Sequence, residues 1–104
     1  MMMANVDLLT QLQRWYASQC NGEWEHTYGI AIATLDNPGW SLKVDLSDTY
    51  LFNRAFHDIC VESADGTDWY VCRVVNHTFE GACGPNDLSQ VIAVFLNWAD
   101  QPSS

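Results

Sequence analysis

Apolar and polar residues alternate from Trp24 to Ala33 and again from Trp40 to Ser47, and this stretch organises the rest of the chain. The first run predicts a strand with Trp24, His26, Tyr28, Ile30 and Ile32 on one face and Glu25, Thr27, Gly29, Ala31 and Ala33 on the other. The second sets Trp40, Leu42, Val44 and Leu46 against Ser41, Lys43, Asp45 and Ser47, the pattern of a sheet with one buried and one wet side. Between them, Asp36-Asn37-Pro38-Gly39 is turn chemistry, because Pro presets φ, Gly accepts positive φ and Asx side chains bond the nearby backbone. A slip of one residue would turn every side chain over. Ile30 and Ile32 share a face with Leu42 and Val44 only if an odd number of residues joins the strands, which predicts a five-residue connection or a bulge near Gly29. The competing arrangement keeps residues 36–39 as the loop and buries Ala31 and Ala33, letting a helix approach closely.

Residues 5–20 carry Leu8, Leu9, Leu12, Trp15 and Tyr16 at helical spacing, with Asn5 or Asp7 as cap and Gly22 as stop. Residues 47–54 have no clean period and read as a crossover. A third strand spans 55–64 and a fourth 68–79, joined at the hairpin signal Asp65-Gly66. That loop pairs Ile59 with Cys72. It puts His57, Ile59 and Val61 on one face with Tyr70, Cys72 and Val74, and Asp58, Cys60 and Glu62 on the other with Trp69, Val71 and Arg73. Asp58 then lies opposite Arg73 as a charge pair. After the turn-rich 80–85, Asn86 caps a helix whose stripe is Leu88, Val91, Ile92, Phe95, Leu96 and Ala99, with Asp87 in its first turn. The expectation is one α+β domain, residues 1–104, of order α-β-β-β-β-α, with a four-stranded antiparallel sheet and both terminal helices on one face.

Composition narrows the function. The 104 residues hold thirteen Asp and Glu against four Lys and Arg, a net charge of -9, which opposes binding to nucleic acid and to anionic membranes and favours a basic protein partner. No apolar run reaches the roughly 18 residues of a membrane helix, and the start lacks a signal-peptide pattern, so a cytoplasmic protein is expected. Cys20, Cys60, Cys72 and Cys83 show no metal-binding spacing and read as reduced thiols. No cofactor or metal is expected, and no glycine loop matches a phosphate-binding fingerprint.

Two chemical readings arise. Glu25 and His26 are adjacent, but neighbours on a strand point to opposite faces and cannot cooperate. Cys83, in a Gly-rich loop before a helix, would be a candidate nucleophile or sulfur carrier if the helix terminus stabilised its thiolate. A metal set of Cys20, His26 and Cys83 has no spacing in its favour.

The strings Trp24-Glu25-His26-x-Tyr28-Gly29 and Leu35-Asp36-Asn37-Pro38-Gly39-Trp40 are the core of a wider resemblance. It begins at Leu12-x-x-Trp15-Tyr16 and continues through Asp68-Trp69, Phe79-x-Gly81, Gly84-Pro85 and Phe95-Leu96-x-Trp98. In these the chain resembles the bacterial family immunity protein 53. The resemblance implies a non-enzymatic partner of a polymorphic toxin, which protects the producing cell by binding the toxin domain. It transfers no catalytic or binding residue. An acidic inhibitor would suit a basic toxin such as a nuclease. The binding surface is expected on the open sheet face: Trp69 and Val71 as anchor, Asp58, Glu62 and Arg73 around them, Glu25 and Asp45 on the neighbouring hairpin. The alternatives are that a loop or the 47–54 crossover covers Trp69, and that the chain is a small cysteine-dependent enzyme of sulfurtransferase type. The sequence leaves the oligomeric state open.

Overall fold

Asp7 starts the first helix, since its carboxylate accepts the Thr10 N–H at 2.7 Å and satisfies one of the first-turn donors. The computed structural model describes residues 7–101. Helix α1 (Leu8–Gln19) buries Leu12 and Trp15 and ends before Gly22, which adopts a φ of 93°. The expected first strand then starts late. Trp24–Thr27 form one helical turn, α2, because the Asn21 side chain accepts the N–H groups of Glu23 and Trp24, both at 2.9 Å, and gives that backbone an alternative to a ladder. Trp24 is buried, while His26 faces solvent instead of the core.

Strands β1 (Ile30–Leu35) and β2 (Gly39–Asp45) pair with Ile30 opposite Val44 and Ile32 opposite Leu42, the shared face expected from the pattern. The connection is residues 36–38 rather than five, because Gly39 already belongs to β2. It sits so close to the Cys83 carbonyl that a Cβ there would collide with that oxygen. Ala31 and Ala33 are exposed, so the arrangement that buried them does not occur.

Residues 46–58 cross to the far edge of the sheet on the core side. Leu46 and Leu51 are fully buried, and Phe56 packs edge-on against Phe79 and Trp98. Arg54 donates to the carbonyls of Trp98 (3.0 Å) and Gln101 (2.9 Å), capping the C-terminal end of the last helix, where free carbonyls favour a cation.

The sheet has five strands, not four. What read as one strand from 68 to 79 divides into β4 (Trp69–Val75) and β5 (Thr78–Cys83), joined by Asn76 and His77 with φ of 52° and 59°. Two successive left-handed residues make the tight turn that matches strand twist. Strand β3 (Ile59–Glu62) is shorter than 55–64, because the residues before it serve the last helix. Its pairing with β4 is the expected one, Ile59 opposite Cys72, although the loop runs over 63–68 and is closed by Ser63 N–H to the Asp68 carbonyl at 2.8 Å. Cys60 and Cys72 therefore lie on opposite faces. The strand order is β1-β2-β5-β4-β3, all antiparallel, so β2 to β5 form a Greek key. With β5 beside β4, Arg73 meets Glu80 at 3.2 Å instead of Asp58, which falls outside β3.

Helix α3 (Leu88–Ala99) covers one face of the sheet. Gly81 leaves room for it, since a Cβ there would strike Val91. Its cap position is Asp87, one residue beyond the expected Asn86. Helix α1 packs beside α3, and both share a single core with Leu42, Val44, Cys72, Phe79 and Cys83. Among the described residues no helix covers the other face of the sheet.

Candidate functional site: the open face and its carboxylate-rich end

Register decides which predicted residues meet. Glu62 stands opposite Trp69 and Cys60 opposite Val71, so Trp69, Val71, Arg73 and Glu62 do share the open face. Asp58, just before β3, lines a shallow depression of about 470 Å³ together with Val71 and Arg73, whereas Trp69 and Glu62 lie outside it. Asp45 lies on the same face at the far end of β2, its carboxylate accepting the Ser47 N–H at 3.0 Å. Glu25 does not join them. It sits in α2, where its carboxylate accepts the N–H groups of Asn21 (2.9 Å) and Gly22 (2.8 Å). Hydrogen bonds from its own N–H and from those two hold it below the usual carboxylate range.

The middle of the open face is not acidic. Lys43 and Arg73, two of the four basic residues, flank Glu80, each opposite it in its ladder. Carboxylates gather instead along one end of the sheet, where the loop 63–68 meets the connection 84–87 and the turn 36–38 lies farther along. Asp36, Glu62, Asp65, Asp68 and Asp87 lie there with no Lys or Arg in those loops. The sequence reading missed Asp65, Asp68 and Asp87 as a group. The density of Asp65-Gly66-Thr67-Asp68 was a signal, but strand order had to bring Asp87 beside it.

Trp69 is built into this end. It is half-buried, its backbone N–H bonds Asp87 Oδ2 at 3.1 Å, and its carbonyl accepts the Gly84 N–H at 2.9 Å. A Cβ on Gly84 would approach Trp69 Cδ1 and the Thr67 carbonyl, both to 3.3 Å, so the missing side chain lets the indole lie against that backbone. The 47–54 crossover does not cover Trp69. Its Tyr50 bonds Trp15 and Phe52 stacks on His77, on the core side and at the opposite end.

The carboxylates here pull in opposite directions. Asp65 drops to about 2, held by the Ser63 hydroxyl and then by the Thr67 N–H and hydroxyl. Asp68 is raised above its ordinary value, first by the charge of Asp87, then by partial desolvation and by Asp65. The linkage follows. Asp65 stabilises the fold above the ordinary carboxylate pKa of about 4, and that contribution is lost as pH falls towards 2. Asp68 opposes folding above its raised pKa, and the opposition disappears as pH falls through it. Asp68→Asn is therefore expected to raise the melting temperature at pH 7, with the gain vanishing in acid; a lower melting temperature at pH 7 would contradict the repulsion.

Cys83 is not in a loop before the helix. It is the last residue of β5, fully buried under α3, and burial pushes its thiol up. Cys72 is pushed up to about 12, again by burial first. These surroundings favour the thiol over the thiolate, opposite to what a nucleophile requires.

Among the described residues no helix is long and apolar enough to cross a membrane. No curated protein and no solved structure matches the chain. A family model does, described as immunity protein 53, over residues 9–100, a span that takes in α1 from its second residue, the whole sheet and α3. With nearly its full length matched, the chain belongs to the immunity protein 53 family.

Proposed function

We propose that the chain neutralises a cognate toxin domain by binding it at the carboxylate-rich end of the sheet, without chemistry of its own. The observation that carries this reading is Trp69: a half-buried indole seated between two loops, its backbone held by the buried Asp87, with the exposed Glu62, Asp65 and Asp68 beside it and no cation among them. A large aromatic with a charged rim is the anatomy of an interface hot spot. Asp68 strengthens the case, because the fold tolerates a repulsion there that a positive partner would relieve. The toxin is expected to be basic, for instance a nuclease whose substrate cleft the carboxylates would fill as phosphate mimics, and the encounter would take place in the cytoplasm of the producing cell. Val71, Asp58 and Arg73 extend the surface along the open face. Asp45 and Glu25 lie apart from it, and Asp36, Asp65 and Asp68 take their place.

Association kinetics with a cognate toxin domain test this reading. Glu62→Gln should slow association and flatten its salt dependence while leaving dissociation nearly unchanged, and Asp45→Asn, at the other end, should do so less. Association that is equally fast in both variants, at low and at high salt, would remove the steering role of this end.

A further inference from the structure

The two edges of the sheet are guarded differently. Strand β3 is short and ends in Glu62, with Asp58 just before it. Strand β1, Ile30-Ala31-Ile32-Ala33-Thr34-Leu35, has six residues with no charge, no proline and no bulge, and no described strand lies beyond it. Its outer backbone groups are thus open to another strand, and natural sheets normally block such an edge. Ile32 at its centre is 41% exposed. Beside it on the helix side runs an apolar groove of about 240 Å³ lined by Leu12, Gln13, Tyr16 and Ile30. Leu9, also exposed, continues the Gln13 and Tyr16 stripe at helical spacing.

From these observations we infer that β1 is the contact between two copies of this chain, joined edge to edge about a two-fold axis into one ten-stranded sheet. The strand is complementary to itself. An antiparallel register with Ile32 opposite Ile32 of the second copy sets Ala31 opposite Ala33 and Ile30 opposite Thr34, and keeps the helices of both copies on the same side. The α1 stripes with Leu9 and Tyr16 then meet as a second layer, widening the contact towards the roughly 1,000 Å² that specific association requires. Net charge does not forbid it. The carboxylates of loop 63–68 stand three to four strands away, about 14–19 Å at roughly 4.8 Å per strand, beyond the screening length of about 8 Å in physiological salt. Asp36 is closer, but in this register it meets Tyr28 of the second copy. The same separation argues against the toxin as occupant, since a basic partner is drawn to the far end. Both Trp69 surfaces stay open, so the dimer would present two.

Sedimentation velocity on the whole chain over a range of concentrations tests this independently of any toxin. The wild type should sediment at twice the chain mass, more completely as salt is raised. Ile32→Lys and Leu9→Glu, each at an exposed position, should sediment as single chains with unchanged circular dichroism, while Val61→Lys on the opposite edge should remain double. A wild type at single mass throughout, or a dimer that survives both Ile32→Lys and Leu9→Glu, would overturn the inference. So would loss of the dimer in Val61→Lys alone. A monomer whose toxin binding depends on Ile32 would assign the edge to the toxin and likewise overturn it.

Discussion

Phe79→Ala is expected to lower the unfolding free energy by about 3–5 kcal/mol, a large part of the roughly 5–15 kcal/mol that holds a domain together. Phe79 has no exposed surface and sits on β5, the middle strand, between Val44 and Val74. Its ring meets Phe95 edge-on at 5.1 Å, Phe56 at 5.5 Å and Trp98 at 6.3 Å, so sheet, connector and α3 converge on it. Collapse into the vacated space is hindered, because Trp98 is tethered by its indole N–H to the Ala55 carbonyl at 2.9 Å. A cavity that cannot close puts the cost in the upper range. Urea unfolding should show a lower midpoint with an unchanged slope. A loss under about 1 kcal/mol would mean that the aromatic cluster repacks and that Phe79 is not its centre.

Particular residues explain what could be read in advance. The β3–β4 register was legible because Ile59, Val61, Tyr70 and Cys72 alternate on both sides of one turn. Although the loop proved longer than Asp65-Gly66, it stayed symmetric about it. The parity of β1 and β2 was legible for the same reason. The turn at Asn76-His77 was not, since neither residue is glycine and the run from Trp69 to Phe79 is almost unbroken strand-forming sequence. Trp24 to Tyr28 imitated a strand because the bonds that fold it into a turn come from Asn21, outside the alternating window. At the candidate site, Trp69, Val71 and Glu62 follow from hairpin register alone. The carboxylate cluster does not: Asp68 and Asp87 are distant in sequence and meet only through the Greek-key order, which a missing strand concealed, and Asp36 shares no more than their end of the sheet.

Trp69→Ala is expected to weaken binding of the toxin domain by about 2 kcal/mol or more, close to thirtyfold in Kd, chiefly through faster dissociation. The indole stands beside the carboxylates of this end, and the backbone that carries it is held from both sides. Asp87 accepts the backbone N–H of Trp69, and the missing side chain of Gly84 leaves room for the ring. A fixed, half-exposed aromatic loses little freedom on binding, so most of its buried area would count towards affinity. The variant keeps the backbone N–H that Asp87 accepts, so the loop connection 84–87 should survive. Titration calorimetry of a cognate toxin domain, against wild type and a Trp69→Ala protein shown to be folded, tests the proposed surface most directly. A Kd at least about thirtyfold weaker is the expected outcome, and an unchanged Kd would contradict binding through Trp69.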